Sequence, residues 1–231
     1  MIKHRTSLYA AVLALSMGAL GAQAQVPPTK QEIAAYKDIF AAVVRNDLDG
    51  LRRHLREPLM ALRADENGRT PLHVATFLKR REAIPILIRR GAKTGELDKQ
   101  KYDPVTIAAV ADDPQTLKVL LDNGASAKLI TSIYDGTALI AAAHLGHETS
   151  VALLIRAGAP LDHVNNIGWT ALMESIVLGN GGKRHQATLK LLLDAKANPN
   201  IPDRQGVTPL THARNRGYAE MVKMLEAAGA I

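Results

Sequence analysis

Cysteine is absent from all 231 residues. That excludes disulfide staples, thiol nucleophiles and a lipid-modified N-terminal Cys, and it suits an oxidising compartment where a stray thiol is a liability. Aromatic residues make up 3% of the chain, with a single Trp and two Phe. A core built on large rings is therefore excluded, and any place where the few aromatics gather carries information. No P-loop, G-x-S-x-G or G-x-G-x-x-G occurs, which removes the common phosphate cradles and the serine-hydrolase elbow. No carboxylate pair stands at an obvious catalytic spacing. The string His144, His147 and Glu148 does not place two His on one helical face, because Gly146 interrupts it. Neither a metal nor a cofactor is called for, and no enzymatic activity is expected. Long apolar runs are lacking beyond residues 8–20.

That one run belongs to a separate N-terminal signal. Lys3, His4 and Arg5 precede it, and Ala22-Gln23-Ala24 forms an A-x-A site before Gln25. A positive start, a short apolar stretch and small residues at the cut define a secretory signal peptide over 1–24, with cleavage between Ala24 and Gln25. The stretch is short for a membrane span. The expected location is the periplasm of a diderm bacterium, with secretion beyond the cell as the alternative. Residues 25–31, with Pro27-Pro28, read as a flexible leader.

What the chain has in abundance is a repeated phrase. Thr70-Pro71-Leu72-His73-Val74-Ala75 returns as Asp103-Pro104-Val105-Thr106-Ile107-Ala108 and as Thr137-Ala138-Leu139-Ile140-Ala141-Ala142. It returns again as Thr170-Ala171-Leu172-Met173-Glu174-Ser175 and Thr208-Pro209-Leu210-Thr211-His212-Ala213. The spacings are 33, 34, 33 and 38 residues. Thr or Asp opens each phrase as a helix N-cap, and Pro suits the first helical position. The Leu residues face the neighbouring unit, while Ala75, Ala108 and Ala141 are small enough for close helix approach. A second apolar period follows each phrase, as in Ile84, Leu87 and Ile88, and its i, i+3, i+4 spacing marks one buried face. Gly91, Gly124, Gly158 and Gly229 close these second helices in the left-handed conformation. Lys196 stands at the corresponding corner of one unit. Turns rich in Asp, Asn and Gly precede the phrases.

A period near 33 carrying T-P-L-H-x-A resembles the ankyrin repeat, over roughly residues 30–231. Five units carry the phrase. A sixth, with Ile39, Ala42, Leu51 and Leu55 in register, is an N-terminal cap over the stack. The fold class is all-α: a solenoid of helix-turn-helix units with hairpin-like tips and about six repeats, near 32–64, 65–97, 98–131, 132–164, 165–202 and 203–231.

The resemblance implies a non-enzymatic protein-binding module whose partner meets the tips and inner helices of a concave face. Mapping the period places Arg69, Tyr102, Tyr134 and Trp169 at tips, and Phe77, Leu78, His144, Leu145 and Leu178 at inner-helix ends. Aromatics suit such a role because they bury large area with few rotors. The spacing of 38 marks an insertion around Gly181, Gly182, Lys183 and Arg184, read as a mobile basic loop on a candidate binding face. The net charge is +7, concentrated in 25–95, where 14 Lys+Arg face 8 Asp+Glu. Such an end can steer acidic partners or an anionic surface. Nucleic acid is not expected for an exported chain without a stacking platform. The partner is another protein, bound by a monomer. The likeness to small exported bacterial ankyrin proteins implies a link to oxidative-stress defence. Immunity against a periplasmic toxin or hydrolase, and haem or cofactor carriage, are the alternatives.

Overall fold

The computed structural model describes residues 25–231; the expected signal peptide and Ala24 lie outside the described residues. After a short helix α1 (Lys30–Ala35), six helix pairs follow in order. The inner helices are α2 (Asp38–Arg45), α4 (Pro71–Phe77), α6 (Pro104–Val110), α8 (Ala138–Leu145), α10 (Ala171–Val177) and α12 (Pro209–Asn215). The outer helices are α3 (Leu48–His54), α5 (Ala83–Arg89), α7 (Pro114–Asp122), α9 (Glu148–Arg156), α11 (Lys183–Asp194) and α13 (Ala219–Ala227). Each inner helix packs on the next inner helix and on its own outer partner. Helices of seven to twelve residues are too short to be stable alone in water. The packed face holds them, as in a solenoid where each unit meets only its neighbours.

The repeated phrase does what its residues dictate. Thr70, Asp103, Thr137, Thr170 and Thr208 are all extended N-caps whose side-chain oxygens accept from the N–H three residues on. His73 adds a second cap: its Nδ1 accepts from the Thr70 N–H, so Nε2 carries the proton to the Tyr102 carbonyl at 3.1 Å in the next repeat. Leu72, Leu139, Leu172 and Leu210 are buried. At the close-approach position of the third phrase it is Ala142, fully buried, and not Ala141, that meets the neighbour. Ala141 faces the concave side. Ile39, Ala42, Leu51 and Leu55 bury the first pair against the stack. Lys196 takes the left-handed corner with φ 73°, where four other units use Gly91, Gly124, Gly158 and Gly229.

Four tips share one construction. Asp65, Asp98, Asn165 and Asp203 each accept two backbone N–H groups on Oδ1, from the residues two and four positions on. The tip between the third and fourth repeats has one residue more, and is built from a two-stranded antiparallel ladder, β1 (Ile130–Thr131) on β2 (Gly136–Thr137). Neighbouring tips are joined by backbone hydrogen bonds: Lys99 N–H to Asn67 O, Ser132 N–H to Lys101 O and Asn166 N–H to Tyr134 O, each 2.8–2.9 Å.

Two segments differ from the sequence expectation. The segment expected as a flexible leader is fastened to the array. Gln25 Nε2 donates to the Thr106 carbonyl at 3.2 Å, Arg69 donates to the Val26 carbonyl at 3.1 Å, and Pro28 is buried. Thr29 and Glu32 then form a capping box that starts α1. The expected mobile loop is also fastened. Gly182 is the N-cap of α11, so Lys183 and Arg184 lie in a helical turn, and only 178–182 is loop. Arg184 donates to the Gly146 carbonyl and to Asp112, while the Tyr218 hydroxyl donates to the Gly179 carbonyl. Gly181 has φ +69° and lies against the Tyr218 ring, where a Cβ would approach to 2.5 Å. The inserted residues are thus spent on extending a helix and docking it.

Candidate partner-binding groove

The extra residue in the fourth tip shapes the concave face. It lets Ser132 and Tyr134 arch over the start of α8, with the Ser132 hydroxyl accepting from the Tyr134 N–H at 3.2 Å. Beneath this arch lies a cavity of about 620 Å³, within the roughly 300–1,000 Å³ range of binding pockets. Its floor is α8, which presents Ile140, Ala141, His144 and Leu145 at helical spacing. Tyr102, Thr106 and Val110 close one side and Asn165, Ile167 and Glu174 the other; Gln25 reaches in from the N-terminal segment.

Glu174 is the one carboxylate in the lining. Its side chain is 4% exposed, since it sits on the buried face of α10. Asn165 Nδ2 donates to one oxygen at 2.9 Å, and His144 Nδ1 lies 3.1 Å from the other. His147 Nδ1 donates to the Ala109 carbonyl at 2.9 Å, which fixes its ring on the rim. Burial pushes the Tyr102 phenol up to about 12, with Asp98 adding to the effect.

Of the residues expected to bind, the cavity brings together Tyr102, Tyr134, His144 and Leu145. Tyr102 offers little surface, being 5% exposed, so Tyr134 is the accessible ring. Phe77, Leu78, Leu178 and Trp169 are half-buried and stand outside the cavity. Leu78 packs on the core. Trp169 donates its backbone N–H to Asn165 and does not line this cavity.

Arg69 is a correction. The sequence places it at a tip for contact, but its side chain is fully buried. Nε meets Asp65 at 2.7 Å, one terminal nitrogen meets Glu32, and the other holds the Val26 carbonyl. Burial opposes the charge on Asp65, yet hydrogen bonds from Tyr36 and Arg69 hold its carboxyl below the ordinary range. Glu32 is lowered chiefly by the Thr29 N–H, with Arg69 adding to it. Burial and the Asp65 carboxylate raise the Tyr36 phenol. Arg69 therefore serves the N-terminal segment and is not presented to a partner. Lys183 and Arg184 are exposed but lie outside the cavity.

The second side-chain atom of each tip anchor distinguishes the repeats. Asp65 Oδ2 has Arg69 and Tyr36, Asn165 Nδ2 has Glu174, and Asp203 Oδ2 has His212 at 2.7 Å. Asp98 Oδ2 is buried with no partner among the described residues, and burial raises the Asp98 carboxyl above its ordinary 3.8.

Sequence reasoning missed Glu174, Asn165 and Gln25. A signal for Glu174 was present. It takes the phrase position held elsewhere by Val74, Ile107, Ala141 and His212, and a carboxylate among residues facing inward demands partners. Among the described residues no group of three or more His, Asp and Glu could hold a metal ion, and no helix is long and apolar enough to cross a membrane.

A family model for ankyrin repeats matches at residues 39–131 and 105–203. The ankyrin repeat protein YahD of Escherichia coli (strain K12) is 32% identical over 194 residues, which is 84% of this chain and 96% of that protein. An ankyrin repeat domain from Acinetobacter baumannii AYE superposes with TM-score 0.78 at 42% identity, covering 84% of this chain and 98% of that one. The ankyrin repeat domain of Bcl-3 superposes with TM-score 0.76 at 26% identity, covering 85% and 87%. Arrays of this kind are protein-interaction modules, generally without catalysis of their own.

Proposed function

This chain belongs to the ankyrin-repeat family, and on that premise we propose that it is a non-enzymatic periplasmic binding protein whose concave groove holds a segment of another protein. The observation that carries the reading is the cavity under the fourth tip. An apolar floor of Ile140 and Leu145, a half-buried Tyr134 and a rim of hydroxyls form an anchor pocket of the sort that dominates protein interfaces. Leu145 is 39% exposed at its edge, so apolar surface is available for burial. Export is supported by the charged start, apolar stretch and A-x-A site of residues 1–24.

The test is capture from a periplasmic extract on the wild-type protein and on Tyr134→Ala/Leu145→Ala, compared by mass spectrometry. A protein held by the first and lost from the second is the expected result. Identical captures on both would move binding away from this groove. The mass of the exported chain is expected to begin at Gln25; a chain retaining Met1 would contradict export by signal cleavage.

A further inference from the structure

The chain carries 29 Lys+Arg against 22 Asp+Glu, yet no lysine or arginine lines the cavity. Its one acidic side chain is Glu174. Other buried acids of this protein are compensated in one of two ways. Asp65 and Asp113 have guanidinium partners, Arg69 at 2.7 Å and Arg81 at 2.9 Å. Asp98 and Asp103 accept backbone N–H groups at a tip and at a helix start, with Asp98 Oδ2 left without a partner among the described residues. Glu174 has neither. It lies inside α10, its own N–H is spent on the Thr170 carbonyl, and its two donors are the Asn165 amide and the His144 ring. A carboxylate drawn out of water whose donors are an amide and an imidazole ring, with no lysine or arginine in reach, retains a preference for a cation.

We infer that the groove recognises a partner segment carrying one Lys or Arg beside apolar residues, with the cationic head directed at Glu174. This deepens the proposed function and rests on it. The apolar floor accommodates the aliphatic stem of such a side chain while the head reaches the carboxylate, as long basic side chains commonly lie. Each Glu174 oxygen has one recorded partner and a second lone pair to offer, and the planar fork of Arg suits that geometry. The cavity is large enough for the flanking residues as well. The chain's net charge of +7 opposes a polybasic partner, but charges beyond a Debye length of about 8 Å are largely screened. The local carboxylate decides, and the segment is singly basic and not a basic tract.

The probe is a random peptide library displayed on phage, selected on the full-length protein, with the binders resynthesised and their Kd measured. Glu174→Gln keeps an acceptor for Asn165 and the shape of the side chain while removing the charge. Selected peptides are expected to share a Lys or Arg, to bind about tenfold or more weakly to Glu174→Gln, and to be lost on Tyr134→Ala. Replacing the peptide's basic residue by citrulline or norleucine on wild-type protein gives the same test should Glu174→Gln fold poorly. Binders that need Tyr134 but lack a basic residue, or that hold Glu174→Gln as tightly as wild type, would overturn the basic-segment assignment and leave the groove standing. Binders indifferent to Tyr134, or no binders, would overturn the groove reading with it.

Discussion

Replacing Arg69 by Ala should release the N-terminal segment and cost the fold about 3 kcal/mol. Removing one partner of a buried ion pair typically costs about 3–5 kcal/mol, because the other charge is left buried and uncompensated. Here the two carboxylates differ. The Asp65 side chain is 9% exposed, whereas Glu32 is 30% exposed. Glu32 can rehydrate, so its share falls toward the ~1 kcal/mol of a surface pair, and the total sits at the lower end of the range. For a chain of this size about 1 kcal/mol moves Tm by roughly 2–4 °C, so the expected loss is about 6–12 °C by circular dichroism. The local effect is read by trypsin: cleavage after Lys30 and Lys37 should accelerate strongly in the variant. The deficit should also shrink in acid. Glu32 and Asp65 are lowered in the folded state, so the stability they contribute is present above their unfolded values and lost as pH falls through the folded ones. A Tm within about 1 °C of wild type, with unchanged cleavage at Lys30, would refute the latch.

Lys196→Gly should stabilise the protein by up to about 1 kcal/mol, since relief of the left-handed φ of 73° outweighs the added freedom of the unfolded chain; a lower urea midpoint would contradict this. Asp98→Asn should raise stability at pH 7, because the buried carboxylate has one unpartnered oxygen and a raised titration. A raised carboxyl favours the fold fully below its unfolded value near 3.8 and loses that favour as pH rises through the folded value. The advantage of the variant should therefore vanish in acid and reach a plateau at neutral pH; an advantage constant with pH would assign the effect to something other than charge.

The array was legible because its signals are local. A cap, a Leu and a small residue at fixed offsets act within one unit, and Thr70, Leu72 and Ala75 take the places their chemistry requires. The N-terminal latch was less legible because its partners are 37 and 43 residues apart. Still, Thr29-Lys30-Gln31-Glu32 spells a capping box, and that pattern argues for an ordered helix start where a flexible leader was expected. The groove was half legible. Periodicity puts Tyr134 and His144 on the concave side, but it cannot say which tip opens a cavity. That depended on one extra residue in the fourth unit, visible as the spacing of 34, whose effect on the arch is a matter of three dimensions. The misreading of 178–184 has a similar cause: three glycines suggested mobility, while the ring of Tyr218 that fills the space above Gly181 comes from the next repeat.

The contact between Gln25 and Thr106 spans 81 residues in an architecture whose units, the Arg184–Asp112 pair apart, answer to their neighbours. It sets an order in time. An array can begin to fold anywhere and spread; Val26 and Glu32 can be held once Arg69 of the second repeat is in place, but Gln25 has nothing to fasten to until the third repeat exists. In a chain that emerges from its N-terminus, Gln25 waits for a residue 81 positions later, and its docking marks the moment at which the first half of the array is complete.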